Sequence, residues 1–425
     1  MNAYQPATGG SGRSDRAGRA AHAVGAPVAI TGLGAVSGYG VGVTALWEGL
    51  ASGNSAIGPF SRFEHARYRT QFASQASEPA AASDDRRSSI ADRFALGAAS
   101  EALVQAGLPS ELDELSCGIY FGSSTGGMFE SEGYFADLLG EPRRASRIGR
   151  LTAQQTCSPG ESVGRAHRVQ GPVQTVASAC ASATLAMGNA LAALRAGEID
   201  IALAGGSDSL CRLTYAGFNS LRAVDARACR PFRTEREGMS IGEGAAVLVL
   251  ESAASARARG ARVLGWLLGA GASCDAHHMT APDPQGAGIA RAVEAALADA
   301  GLDAAAIDFV NVHGTGTPHN DAAEANMLRA VFGDRLSELP LTSSKGAIGH
   351  YLGAAGAIEA VATMLCFLHG AVHPTPGEGA VDPAMGLDLV TVRPRPLPGA
   401  RYALSTNLAF GGTNAAVILG SNPTA

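Results

Sequence analysis

The segment VQTVASACASATLAMGNALAALRAG, residues 173–197, decides how the chain folds. It opens with a short run of β-formers, which predicts a strand over 173–180 that ends at Cys180. It continues with small and aliphatic residues, which predict a helix over 181–197 that stops at Gly197. Strands that alternate with helices are the units of α/β folds, and the segment therefore predicts an α/β protein.

The same alternation continues on both sides of this segment and falls into two similar halves. In each half a reactive side chain, first Cys180 and then His350, precedes a helix rich in Ala and Gly. We therefore expect an N-terminal half over 27–263 and a C-terminal half over 264–425, after a disordered tail over 1–26. The other predicted strands and helices lie at 28–34, 117–124, 199–209, 244–252, 307–318, 321–333, 341–350, 351–370 and 401–420.

Composition excludes several classes of function. The 32 Lys and Arg against 38 Asp and Glu give a net charge of −6, and a chain without a basic stripe is a poor nucleic-acid binder. The sequence contains no run of about 18 uncharged apolar residues, so it does not suggest a membrane span. The seven cysteines form no C-x-x-C pair, so we expect neither a disulfide framework nor a zinc site, and we expect a cytoplasmic protein.

Cys180 is the sharpest single candidate for chemistry. A free cysteine in apolar sequence is usually a small buried side chain. This one, however, stands between a strand and a helix, with Ala on both sides. The start of a helix favours thiolate over thiol and offers N–H groups to an oxyanion, so Cys180 is a candidate nucleophile.

Two histidines follow predicted strands in glycine-rich surroundings, His313 in HGTGT and His350 at the end of KGAIGH. Either alone could be a core histidine. Two imidazoles and one thiol do not complete a zinc site on this spacing, but they suit carbonyl chemistry in which hydrogen bonds stabilise an enolate. Lys345, inside an otherwise apolar turn, predicts a buried ion pair, for which Glu324 is the candidate partner.

Two glycine-rich motifs suggest other functions. GSSTG, residues 122–126, matches the elbow of serine hydrolases with Ser124 as nucleophile, although so short a pattern arises easily in a chain with 55 glycines. GLGAVSG, residues 32–38, lacks the spacing of a dinucleotide-binding loop, and we interpret it as a tight turn.

Five blocks stand in order between Val28 and Leu419: SACASA (178–183), RPFRTEREGMSIGEGAAVLVLE (230–251), NVHGTGTPHND (311–321), SSKGAIGHYLGAAGAIEA (343–360) and NLAFGGTNAAV (407–417). Taken together, they resemble the signature blocks of the elongating β-ketoacyl-acyl carrier protein synthases. This resemblance implies a thiolase-like, five-layered αβαβα fold built from two similar halves, a dimer, and a reaction without metal or organic cofactor.

The resemblance also implies catalytic roles. Cys180 would take an acyl chain as a thioester, and malonyl on a second carrier protein would lose carbon dioxide and attack it. His313 and His350 would donate hydrogen bonds to the enolate oxygen. Lys345 and Glu324 match the family's supporting ion pair, which orders the histidines.

Further residues are assigned by the same resemblance. Phe410 matches a gate beside the thiol, and its backbone N–H would bind the oxyanion together with that of the nucleophile. Thr125 stands where the family places a residue lining the acyl pocket. Because carrier proteins are acidic, Arg143, Arg144 and Arg222 are the candidate docking cations.

The implied partners are acyl carrier protein, loaded with acyl or malonyl groups, and a second subunit that makes a homodimer or a heterodimer. The sequence LAF stands where relatives often carry Phe-Gly-Phe. A dedicated polyketide or polyene pathway is therefore open beside fatty-acid synthesis. The non-enzyme alternative is an inactive or accessory ketosynthase-like subunit.

Overall fold

The computed structural model describes residues 25–79, 87–140 and 142–422, and for 142–147 it describes the backbone only. The strands are β1 Val28–Ser37, β2 Gly40–Val41, β3 Gly58–Pro59, β4 Phe72–Ala73, β5 Cys117–Gly122, β6 Val173–Val176, β7 Ile201–Asp208, β8 Gly244–Ser252, β9 Gly265–Cys274, β10 Phe309–Asn311, β11 Leu341–Thr342, β12 Ala371–Val372, β13 Arg395–Pro396, β14 Tyr402–Leu408 and β15 Thr413–Ser421.

The helices are α1 Val43–Ser52, α2 Ile90–Ala106, α3 Met128–Gly140, α4 Ser158–Ala166, α5 Ser182–Arg195, α6 Arg212–Ser220, α7 Ala253–Ala258, α8 Ala287–Ala300, α9 Pro318–Phe332, α10 Lys345–Ile348 and α11 Ala355–His369. Three helices, α5, α9 and α11, correspond to the helices predicted over 181–197, 321–333 and 351–370.

Within the described residues the large sheet has eleven strands: two five-stranded sets with the same internal order, and β2, which pairs with β1. One set runs β6-β5-β7-β8-β1 and the other β11-β10-β14-β15-β9. In both sets the first two pairings are parallel and the next two antiparallel. The sets join where Val28, Ala29 and Ile30 pair antiparallel with residues 265–267. This repeated topology confirms the two similar halves.

Helices cover both faces of each set of strands. α2 packs on β1, β7 and β8, and α8 packs on β9 and β15. α5 and α11 contact each other and strands of both sets, so they form a shared central layer. Their small side chains let the two sets approach closely; Ala183, Ala186 and Ala357 are fully buried. The five layers confirm the predicted αβαβα architecture.

The central helix also explains an apolar stretch. The described residues contain one helical stretch, Leu352–His369, whose length and composition would allow it to cross a membrane, and 83% of it is buried inside the protein. A helix buried at the centre of a folded core can have the same length and the same apolar composition. Its apolar character is therefore accounted for by packing between the two sets of strands.

The interpretation of GLGAVSG as a tight turn is wrong, because the segment lies inside or just after β1. Its glycines are needed for the close approach of α2. A Cβ at Gly32 would lie 2.1 Å from the carbonyl oxygen of Ala102, and one at Gly34 would lie 1.9 Å from that of Ala98. The sequence pattern alone does not reveal a helix that arrives from elsewhere.

We predict that Gly34→Ala destabilises the protein, because the new methyl group meets backbone that cannot swing aside. Overpacking typically lowers the free energy of unfolding by about 1–3 kcal/mol. Because the helix backbone around Gly34 is rigid, we expect a loss at or above the upper end of this range. The control is Gly217→Ala in α6, where a Cβ has no neighbour within 4 Å. Thermal unfolding measures both variants, and equal melting temperatures would contradict the prediction.

Candidate active site

Cys180 lies in a tight turn between β6 and α5. The preceding residue, Ala179, has a φ of 46°, in the left-handed region that residues with a Cβ rarely adopt. Ser182 fixes this turn, since its hydroxyl donates to the carbonyl oxygen of Ala179 (2.6 Å) and accepts from the backbone N–H of Ser178 (2.8 Å). The turn places the thiol at the start of α5, with 8% of the residue exposed.

The structure brings both predicted histidines to this thiol. His313 follows β10, and His350 follows α10, so the two rings come from the C-terminal half while the thiol comes from the N-terminal half. The sulfur and one nitrogen of each ring lie within 4.8 Å of one another. The two ring centroids are 5.2 Å apart, with the planes nearly perpendicular. All three residues are buried.

Hydrogen bonds to Nδ1 fix where each imidazole carries its proton. The ammonium of Lys345 is 3.0 Å from Nδ1 of His313, and the backbone N–H of Leu352 donates to Nδ1 of His350 over 3.1 Å. An ammonium and an amide N–H can only donate, so both Nδ1 atoms accept. A neutral ring that accepts at Nδ1 carries its hydrogen on Nε2. Each histidine therefore offers one Nε2–H donor.

Electrostatics keep both rings neutral. Burial is the largest effect and holds the pKa of His313 and of His350 well below 6.5. The nearby charge of Lys345 lowers both values further. At neutral pH the site thus contains two uncharged hydrogen-bond donors.

The thiol of Cys180 is protonated at rest, so the expectation of a thiolate is wrong. Burial raises its pKa to about 12, and the charge of Lys345 and the backbone N–H of Phe410 offset this only in part. The loss of solvent is therefore the dominant influence on the pKa of this thiol. The nucleophile must therefore lose its proton as it reacts.

The predicted ion pair between Lys345 and Glu324 is also wrong. Lys345 pairs instead with Glu359 of α11, and both side chains are buried. The other carboxylate oxygen of Glu359 accepts a hydrogen bond from Asn407 (2.7 Å). Glu359 is the only acidic residue in α11, an otherwise apolar helix, and that isolation is the signal that could have found it.

Glu324 supports the site in a different way. Its carboxylate accepts from the backbone N–H groups of His313 (2.7 Å) and Gly314 (2.8 Å) and from the hydroxyl of Thr406 (2.8 Å). Burial raises its pKa to about 7. Glu324 therefore holds the loop that carries His313, while Glu359 balances the lysine.

A cavity of about 490 Å³ leads from the three reactive side chains to the surface. Phe410 lines this cavity from the turn between β14 and β15 and is 37% exposed. The centroid of its ring lies 5.7 Å from that of Phe218. Arg222, the predicted docking cation, is exposed and also lines the cavity. Both residues therefore line the cavity, and their roles as gate and docking cation stay predictions.

Other predicted residues lie elsewhere. Thr125 is not in the lining of this cavity; it is buried and donates to Asp208 (2.8 Å), so its role in the acyl pocket stays a prediction. Ser124 donates to the carbonyl oxygen of Ala179, and within the described residues no hydrogen bond joins it to a histidine, so a hydrolase elbow is not assembled. The side chains of Arg143 and Arg144 lie outside the described residues.

The donor set favours hydrogen bonding over metal binding. One thiol and two imidazoles are close enough to suggest a cation site. A ring nitrogen must present a lone pair to a metal, whereas here the Nδ1 contacts place the hydrogen on Nε2. The positive charge of Lys345 beside His313 further opposes a second cation.

Comparisons with known proteins agree with this geometry. The family model for the N-terminal domain of β-ketoacyl synthases matches residues 25–256, and that for the C-terminal domain matches residues 264–377. The chain is 36% identical over 398 residues to nodulation protein E of Rhizobium meliloti (strain 1021), covering 91% of this chain and 97% of that protein.

Two further relatives show the same full-length similarity. The 3-oxoacyl-[acyl-carrier-protein] synthase 2 of Staphylococcus aureus (strain COL) is 34% identical over 404 residues, covering 92% of this chain and 97% of that protein. The ishigamide ketosynthase/chain length factor superposes with a TM-score of 0.88 at 34% identity, covering 93% of this chain and 99% of that chain. The chain therefore belongs to the β-ketoacyl synthase family.

Proposed function

We propose that the protein catalyses the decarboxylative condensation of an acyl group on Cys180 with malonyl-acyl carrier protein, which yields a 3-oxoacyl chain two carbons longer. One observation carries the proposal. A buried thiol from the N-terminal half and two neutral imidazoles from the C-terminal half come together, with the sulfur and one nitrogen of each ring within 4.8 Å of one another. Within one cavity they supply a nucleophile for a thioester and donors for an enolate.

In the first step the sulfur of Cys180 attacks the acyl-carrier thioester. The carbon–sulfur bond to the carrier breaks, a new one forms to Cys180, and the thiol proton ends on the departing carrier thiol. The backbone N–H of Phe410, which already contacts the sulfur, supports the negative charge on the attacked carbonyl oxygen together with the N–H of Cys180.

In the second step malonyl-carrier protein loses carbon dioxide, and charge accumulates on its thioester oxygen. The Nε2–H groups of His313 and His350 donate to that oxygen, and both rings are neutral and fixed before the substrate arrives. The enolate carbon attacks the acyl carbonyl, the sulfur of Cys180 leaves as thiolate, and a proton from solvent restores the thiol.

The neutral ring is the better group for this task. An imidazolium would attract the malonyl carboxylate and hold it in place, which opposes loss of carbon dioxide. A neutral donor stabilises the enolate oxygen without that penalty. Burial and Lys345 thus keep the rings in the useful state.

The partners are acyl carrier protein and a second ketosynthase-like chain. Arg222 stands exposed at the cavity and suits an acidic carrier, and Arg143 and Arg144 remain candidates for the same role. β6 is the last strand of its set, and Val173 in it is 41% exposed, so this edge suits pairing with a second subunit.

We place the reaction in the cytoplasm, in fatty-acid or specialised polyketide or polyene synthesis. All seven cysteines are unpaired, as expected in a reducing compartment. The name of the ishigamide ketosynthase/chain length factor couples a ketosynthase with a chain length factor, which supports a heterodimer of that kind. A purely accessory role is disfavoured, because the thiol and both rings are present and assembled.

We predict that Cys180→Gln separates the two steps. The variant lacks the acyl acceptor but keeps both imidazoles, so it should decarboxylate malonyl-carrier protein and form no 3-oxoacyl product. Release of labelled carbon dioxide and product chromatography measure the steps. Cys274→Ser, at an exposed thiol, is the control. Condensation by Cys180→Gln at the control rate would show that another residue is the nucleophile.

We predict that His313→Ala slows decarboxylation more than acyl transfer. Loss of one donor to a developing oxyanion typically lowers the rate by about 10²–10³-fold. Acyl transfer, which relies on backbone N–H groups, should fall far less. The two steps are measured separately with acyl- and malonyl-carrier protein, and an equal loss in both would contradict this division of roles.

We predict that decarboxylation by Cys180→Gln keeps its rate as the pH falls from about 8 to about 6. The pKa of both histidines lies well below 6.5, so the rings become charged only at lower pH, where the rate should then fall. Circular dichroism over the same range checks that the protein stays folded. A rate that halves near pH 6.5 in folded protein would refute the lowered pKa values.

A further inference from the structure

We propose that Asp208 is a positioning residue for this reaction: its buried carboxylate ties together the turn that carries Cys180 and the turn that carries His350. This inference rests on the proposed function, since it concerns the geometry of those two groups. It also gives a role to the GSSTG segment, which the hydrolase interpretation leaves unexplained.

Asp208 ends β7 and is completely buried. Its carboxylate receives five donors: the hydroxyls of Ser123 (2.7 Å) and Thr125 (2.8 Å), the backbone N–H groups of Ser124 (3.0 Å) and Thr125 (2.8 Å), and the N–H of Gly353 (2.7 Å). A buried carboxylate is usually paired with a cation or accepts several hydrogen bonds. Within the described residues every donor to Asp208 is a hydroxyl or a backbone amide, which makes the carboxylate an organiser of loops.

The first connection leads to His350. Gly353 donates to Oδ2 of Asp208, and the preceding residue, Leu352, supplies the N–H that holds Nδ1 of His350. Leu352 has a φ of 50°, so this turn is held in an unfavourable conformation. A Cβ at Gly353 would lie 2.5 Å from the nitrogen of Ser124, so the turn is pressed against the GSSTG segment. Asp208 thus secures the amide that sets the proton position on His350.

The second connection leads to Cys180. The carboxylate binds the N–H of Ser124, and the hydroxyl of Ser124 donates to the carbonyl oxygen of Ala179 (3.2 Å). Ala179 is the residue with positive φ directly before the nucleophile. Ser124 therefore acts as a link from Asp208 to the nucleophile turn rather than as a nucleophile.

The two carboxylate oxygens have different partners. Oδ1 accepts from the hydroxyls of Ser123 and Thr125, and Gly353 donates to Oδ2 alone. The N–H of Ser124 lies 3.0 Å from both oxygens. In Asp208→Asn the remaining oxygen can accept from the hydroxyls and from the N–H of Ser124, and the new NH₂ then faces the N–H of Gly353. Two donors cannot bond to each other, so this variant should disturb mainly the connection to His350.

The experiment measures the two half-reactions in matched variants. Asp208→Asn, combined with Cys180→Gln, should decarboxylate malonyl-carrier protein about 10–100-fold more slowly than Cys180→Gln alone, by analogy with loss of the outer hydrogen-bonding partners that orient metal-bound histidines. Asp208→Asn alone should load an acyl group from acyl-carrier protein with a much smaller loss. Ser124→Ala should show the opposite pattern, with acyl loading reduced more than decarboxylation.

Ser207→Ala is the control for stability. It removes a buried hydroxyl next to Asp208 that bonds to the carbonyl oxygen of Ala91 (2.6 Å) and touches neither turn. It should lower the melting temperature without changing the ratio of the half-reactions. A purely structural role for Asp208 would likewise reduce both half-reactions equally, in step with the folded fraction.

The results separate the positioning role of Asp208 from the proposed condensation on which it rests. An unchanged ratio of half-reactions in both Asp208→Asn and Ser124→Ala would overturn the positioning role. If Asp208→Asn does not fold, the ratio in Ser124→Ala decides alone. Failure of the unmodified protein in both half-reactions would instead refute the proposed function.

Discussion

The active site depends on one buried cation, the ammonium of Lys345. It donates to Nδ1 of His313, is balanced by Glu359, and lowers the pKa of both histidines. A lone buried ammonium would be strongly unfavourable, so Glu359 is what allows the lysine to stay there. The result is a site whose charge is settled before substrate binds: two neutral donors and a neutral thiol around one cavity.

The duplicated fold explains how such a site is assembled. Each half supplies strands in the same order, and α5 and α11 pack against each other between the two sets. The nucleophile precedes α5 and His350 precedes α11, so the contact between these two helices brings the reactive groups together. The ion pair joins the start of α10 to α11, which fixes the lysine within the C-terminal half. Correct chemistry therefore requires both halves to be folded and docked.

Local sequence was sufficient for the α/β class and for the choice of Cys180, His313 and His350 as candidates, whereas the five-layered order was implied by the resemblance to a family. The junction at Cys180 and the glycine-rich segments at His313 and His350 are short-range patterns, and the structure brings all three together. The ion-pair partner was missed because it depends on which side of α11 faces the lysine, which local sequence does not show. The protonation of the thiol was missed because burial is a property of the whole fold. The glycines of β1 were misread for the same reason, since α2 arrives from a distant segment.

The most direct test of this account is to find where an acyl group becomes attached. The full-length protein is incubated with acyl-acyl carrier protein, digested, and analysed by mass spectrometry of its peptides. The account predicts a single thioester on the peptide that contains Cys180, which hydroxylamine removes. An acyl group on Ser124 instead, or no covalent acyl group at all, would contradict it.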